Sequence, residues 1–319
     1  MDYNKIITES IQIFWRNKSL WLVGMVAAFF GQGNGNYNFN FNYQQPFPGS
    51  SNKNPFSDFK IPSFVHDIIN NPIPYIVAVV VIILGWWLLA TLLGWLAQGA
   101  LIGMVDEADR TGATSLGQGW QVGSERLIHL VLIAVLLALP TLLMLIPMAI
   151  WAISLITQIG VMATHKVPTD KIASAILPLF FSTIACLIPI ICIGGLLNFG
   201  LNLLKIISMR SCVLEQLGAI DSIKRGWQVV RQNIGYTLLT WFLLLIGSSI
   251  FSFIVFIPMA ILGIPIITSV IYQGWSSFSI GLVLMFVLVM IVVSTGIGGL
   301  VTSFNSTLWT KFYKEVARD

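Results

Sequence analysis

The sequence predicts an all-α integral membrane protein of six kinked spans, arranged as three parallel two-span repeats. Each repeat opens with a cytoplasmic, interfacial amphipathic helix. Three observations carry this. Of 319 residues 56% are hydrophobic and only 9% charged, where soluble domains carry about a quarter charged residues. Long apolar runs follow one another, separated by short polar stretches. One polar stretch is also written more than once: Ser222-Ile-Lys-Arg-Gly-Trp-Gln-Val-Val-Arg231 matches Ser115-Leu-Gly-Gln-Gly-Trp-Gln-Val122 at Ser, Gly, Trp, Gln and Val, 107 residues apart. A fainter copy aligns Gln12-Ile13 with Gln121-Val122, 109 residues earlier.

The elements follow in order. Residues 3–18 place Ile7, Ile11 and Phe14 on one helical face and Lys5, Glu9, Gln12 and Arg16 elsewhere, the pattern of a helix lying among headgroups. Ser19 to Phe30 enters the bilayer; its apolar length falls short of the roughly 20 residues a crossing needs, so the amphipathic helix supplies part of it. No A-x-A-type site follows, so this segment reads as a retained anchor. Residues 31–73 form a low-complexity Asn/Gly/aromatic tract, then Pro, Ser and Lys, which lacks the apolar content to fold alone and reads as an extracytoplasmic loop. Five further spans cover Tyr75–Val105, Leu127–Ala163, Ile172–Met209, Tyr236–Tyr272 and Ser279–Trp309. Prolines at 140 and 147, 178 and 189, and 258 and 265 remove ladder donors and predict kinks. The runs exceed the membrane core of about 30 Å, so they bend or project past it.

Lysine and arginine set the orientation. Of the 17 such residues, only Lys53, Lys60, Lys166 and Lys171 fall on the side of the Asn-rich loop. The positive-inside rule therefore puts both termini in the cytoplasm. The whole chain reads as one membrane domain with repeats at about 1–110, 111–217 and 218–319, in a cell membrane of the bacterial inner-membrane type.

Within the repeated stretch, Ile223, Trp227, Val230 and Ile234 share a helical face, as do Leu116, Trp120, Gly123 and Leu127. Asp221 or Ser222, and Thr114 or Ser115, are candidate caps, and Ser115 with Gln118 fits a capping box. Trp120 and Trp227 suit the aromatic belt, and Lys224, Arg225 and Arg231 suit anionic headgroups. These five are the candidate contacts for lipid or a partner. The intramembrane polar residues Asn198 and Asn202, one helical turn apart, and Asn305 read as hydrogen-bonding glue between helices. A cavity lined by these three asparagines would instead mark a transport route.

Several chemistries are disfavoured. No Asp or Glu sits mid-span, which argues against proton- or ion-coupled transport. His66, His129 and His165 are scattered and show no metal-ligand spacing. Asp106, Glu107 and Asp109 at a helix end read as a solvated cap. No G-x-x-x-x-G-K loop occurs, and the sequon at Asn305 falls on the cytoplasmic side. No catalytic residue, metal or cofactor is expected, and nucleic acid is not an expected partner.

The entry segment Lys18-Ser-Leu-Trp-Leu-Val-Gly24, with repeats of a Ser-x-x-x-Gly-Trp-Gln-Val type before long kinked hairpins, resembles a group of bacterial integral membrane proteins. These are similar to the membrane domain appended to some glycerophosphodiester phosphodiesterases and to YciC-like inner-membrane proteins. The resemblance implies a multi-span helical domain and no activity of its own. No soluble stretch is long enough for the phosphodiesterase barrel, so no catalytic residue transfers. The expected function is a scaffold or accessory subunit that organises lipids or partners, whether a second membrane protein or another copy of the chain. The alternative is a facilitator for a small or lipidic molecule, with the paired prolines opening a cavity between repeats.

Overall fold

A computed structural model describes residues 3–30, 72–164, 172–273 and 277–317. Every regular element among them is helical: α1 Tyr3–Arg16, α2 Ser19–Phe29, α3 Pro72–Thr111, α4 Leu116–Leu143, α5 Leu145–Thr164, α6 Ile172–Leu214, α7 Ala219–Gln232, α8 Ile234–Gln273 and α9 Ser277–Val316. Five helical stretches are long and apolar enough to cross a membrane: Ile73–Thr111, Leu116–Ser154, Ile191–Leu214, Ile234–Ser269 and Gly281–Val316. The protein is an all-helical membrane protein. Residues 31–71, which hold nearly all of the Asn-rich tract and His66, lie outside the described residues, as does His165.

Two compact units divide the chain: Met1–Leu127 with Leu238–Asp319, and Ile128–Thr237. The first is built around α2. Its 11 residues cover about 16 Å at 1.5 Å per residue, too little for a bilayer core of about 30 Å. Leu20, Val23 and Ala27 instead pack into a core with Ala97, Ala100, Leu101, Met104 and Val105 of α3. Against α9 the backbones nearly touch. A Cβ on Gly299 would lie 2.6 Å from both Cα and N of Met25, and one on Gly24 would overlap Ser303 and the Gly299 carbonyl. Ser303 Oγ uses that proximity to donate to Leu20 O at 2.7 Å. Small residues at a crossing let helices approach this closely, and an interhelical hydrogen bond adds to the hold.

Aromatic side chains fix the corner between α1 and α2. Phe14 sits 5.4 Å from Trp21 and 5.9 Å edge-on from Phe304 of α9, distances at which aromatic pairs attract beyond simple burial. Trp21 Nε1 donates to Phe14 O at 3.1 Å, so the indole polar atom is satisfied at the turn.

Three boundaries differ from the sequence expectation. First, α3 starts at Pro72 and runs on to Thr111, so Asp106 and Asp109 are helical where a helix end was expected. Gly112, in the left-handed region at φ 81, ends it instead, a conformation that glycine adopts without a Cβ penalty. Second, the 127–163 run divides at Met144, between Pro140 and Pro147, where Met144 N donates to Thr141 O; the expected kink is a break. Third, no separate interfacial helix precedes the second repeat's span, because α4 runs unbroken from Leu116 to Leu143. The breaks after α1 and α7 fall at Asn17 and Asn233, and the repeat offset puts Arg126 at the equivalent position. Asn17 Nδ2 bonds to Ile13 O at 3.1 Å, a local bond that competes with helix continuation; arginine is a good helix former and the chain continues.

Candidate functional site

The repeated segments have a shared anatomy. On α7 the buried residues are Ala219, Ser222, Gly226, Val229 and Val230, while Trp227 is 55% exposed. A Cβ on Gly226 would lie 3.1 Å from Ser208 N and 3.2 Å from Ser208 Cα, so the glycine seats α7 on the end of α6. Ser211 Oγ donates to Ser222 O at 3.0 Å across the same contact. In the other unit, a Cβ on Gly119 would overlap Met104, and one on Gly123 would come 2.6 Å from Leu96 O. The start of α4 is thus seated on the end of α3, with Trp120 39% exposed. On α1 the aligned pair is Ser10, fully buried, and Ile11, 42% exposed. Each copy buries a small residue and exposes the large apolar residue after it. The sequence face containing Trp227 and Val230 is therefore split: valine packs inward and tryptophan points out.

Capping differs between copies. Ser115 Oγ receives Gln118 N–H at 3.4 Å, the N-cap half of the capping box, and donates to Gln118 Oε1 at 2.7 Å, so the glutamine meets the serine hydroxyl and not its backbone N–H. The N-cap of α7 is Gly218, with Asp221 in the first turn near the positive helix end; Ser222 is buried and Asp221 lies inside the helix, so neither is the cap. Lys224 is exposed and loosely paired with Asp221 at 3.7 Å. Arg225 reaches Glu215 Oε2 at 3.3 Å, tying α7 to the α6 terminus, and Arg231 is exposed.

The three asparagines are divided between the two units. Asn198 and Asn202 in unit 2 are both exposed. Asn305, in the other unit, is buried at 5%.

What the sequence reading missed is a chain of ion pairs at the end of the first unit. Glu9 of α1 pairs with Lys311 of α9 at 2.5 Å, and Lys311 with Asp109 of α3 at 2.6 Å. Asp109 then pairs with Lys314 at 2.7 Å, Lys314 with Asp106 at 2.7 Å, and Asp106 with Arg110 at 2.5 Å. Three carboxylates alternate with three cations, and Lys311 is only 14% exposed. Paired charges offset the desolvation each would otherwise suffer. Glu107, the third acid, accepts from Thr114 Oγ1 at 3.1 Å. The acidic trio is thus no solvated cap. Asp106 and Asp109 fasten the last helix to the end of α3, and Lys311 carries the tie on to α1 through Glu9.

Beside this chain lies a cleft of about 500 Å³ between α1, α3 and α9. Lys5, Glu9, Gln12 and Arg16, one polar stripe of α1, line it together with Asp109, Lys311, Lys314 and Glu315.

A family described as a domain of unknown function (DUF7847) matches residues 1–316, and the chain belongs to that family. No curated protein and no solved structure matches it.

Proposed function

We propose that the protein is a non-enzymatic membrane scaffold or accessory subunit that organises lipids or partners at one face of the membrane. The observation that carries this is the shared anatomy of α1, α7 and the start of α4. Two are seated by a buried glycine on the end of a long helix and α1 buries Ser10 at the aligned position, and the three present Trp227, Trp120 and Ile11 outward. In a membrane protein, an exposed large side chain at the end of a span meets headgroups or another protein. The same anatomy supports three parallel repeats, with Asn17 and Asn233 breaking the helix at equivalent positions.

Six crossings fit the first unit's connectivity. Glu9 near the N-terminus meets the C-terminal ends of α3 and α9, while α3 leads to that end from the other side. From there α2 heads away from that end, running from Leu20 beside Ser303 to Met25 beside Gly299, the direction a further crossing needs. Both termini then share a side, which the Lys and Arg distribution assigns to the cytoplasm of an inner-membrane-type cell membrane.

Purification from the native host in mild detergent, with mass spectrometry of what accompanies the protein, tests the function. A stoichiometric membrane-protein partner or a defined set of lipids is the expected result. A lone protein carrying a small soluble solute would contradict the scaffold and favour a facilitator.

A further inference from the structure

We infer that the cleft between α1, α3 and α9 binds a single phosphate headgroup, that of an anionic phospholipid. This deepens the lipid side of the proposed function and rests on α1 lying at the bilayer interface. The ion-pair chain beside the cleft is internally neutral, since Glu9, Asp109 and Asp106 balance Lys311, Lys314 and Arg110. Of the other charged residues lining the cleft, Lys5, Arg16 and Glu315, Arg16 is paired with no carboxylate among the described residues, one cation in excess there. That excess matches a monoanionic phosphodiester.

Donors are in place. Gln12 and Arg16 stand one helical turn apart on the α1 stripe that lines the cleft. Among the described residues, neither side chain has an ion pair or hydrogen bond. The Arg16 guanidinium lies against Gly112, where any Cβ would sit 3.0–3.2 Å from it; the carbonyl end of α3 favours a cation there. A guanidinium offers five N–H donors in a planar fork that matches phosphate, and the glutamine amide adds two more. Ile11 and Trp15, 42% and 63% exposed on the same helix, give the acyl region of a lipid an apolar neighbour. This favours a lipid over a soluble phosphoester.

The test uses the full-length protein in detergent micelles, titrated with phosphatidylglycerol, phosphatidylcholine or glycerol 1-phosphate and read by native mass spectrometry. One phosphatidylglycerol per chain is expected, bound about tenfold tighter than phosphatidylcholine. Arg16→Gln and, independently, Gln12→Leu should weaken it by about tenfold and about threefold, while Gln232→Leu, at an exposed position in the other unit, leaves it unchanged. Should one variant fail to accumulate, the other carries the test. Glycerol 1-phosphate binding as tightly as the lipid would overturn the lipid assignment. Binding that ignores both cleft variants, or no preference for phosphatidylglycerol, would overturn the site. If no phosphatidylglycerol binds while a partner still co-purifies, the site falls and the scaffold reading stands. If phosphatidylglycerol binds to a protein that otherwise carries a soluble solute, the site stands and the scaffold reading falls.

Discussion

Asp109→Ala is expected to destabilise the first unit by about 2–4 kcal/mol, because removing one carboxylate from a mostly buried chain of ion pairs leaves one cation in excess there. Asp109 holds two ammonium groups at once, Lys311 at 2.6 Å and Lys314 at 2.7 Å. Its loss leaves Lys311, 14% exposed, with Glu9 alone and Lys314, 20% exposed, with Asp106 alone, so three cations face two carboxylates. Thermal unfolding in detergent reads the effect. Adding Lys314→Met to Asp109→Ala should cost less than the two separate losses together, since part of each loss is the stranded partner. Lys224→Met is the contrast. Its pair with Asp221 is about 70% exposed on both sides, and such surface pairs are worth about 0–1 kcal/mol. Equal effects at Asp109 and Lys224 would show that the ion-pair chain does not hold the helices.

Gly299→Leu should be at least as damaging, costing about 3 kcal/mol or more, the upper range for overpacking. A Cβ alone would meet the Met25 backbone at 2.6 Å. Backbone atoms cannot swing aside as a side-chain tip can, so α2 and α9 must separate and the Ser303–Leu20 hydrogen bond goes with them. Gly24→Leu strikes the same crossing from the other helix. Gly85→Ala serves as the control: it has no neighbour within 4 Å, and alanine favours a helix over glycine by about 1 kcal/mol. Detergent-resistant folded yield should collapse for the first two and hold for the third. A tolerated Gly299→Leu would mean that α2 does not pack on α9 in the membrane.

The apolar runs, their prolines and the tryptophan-bearing repeat could be read from the sequence because each signal is local. Composition sets the span, proline removes a donor where it stands, and a copied motif is visible as text. The role of the glycine in that motif was not legible. Gly226 looks like a spacer beside Trp227 until Ser208, eighteen residues earlier, is placed against it. Nor could the chain of ion pairs be seen, since Lys311 lies 202 residues from Asp109 and no periodicity links them. Asp106, Glu107 and Asp109 therefore resembled any acidic helix end. The spacing of Asn198 and Asn202 puts them on one face, yet spacing does not say whether a helix covers it. The shortness of α2 was visible, but its explanation, the bare backbone contact with Gly299, was not.

The closure of the first helix onto the last is most directly tested by crosslinking in native membranes. With Cys186, Cys192 and Cys212 replaced, Glu9→Cys and Lys311→Cys are combined and treated with a short thiol crosslinker. A crosslink within one chain, absent when Lys311→Cys is paired with Ile82→Cys near the opposite end of α3, is the predicted result. It would place the N-terminal helix beside the C-terminal end of α9, on one side of the membrane. No crosslink from thiols at 9 and 311 that both react with a soluble maleimide would contradict it, and with it the shared side of the two termini.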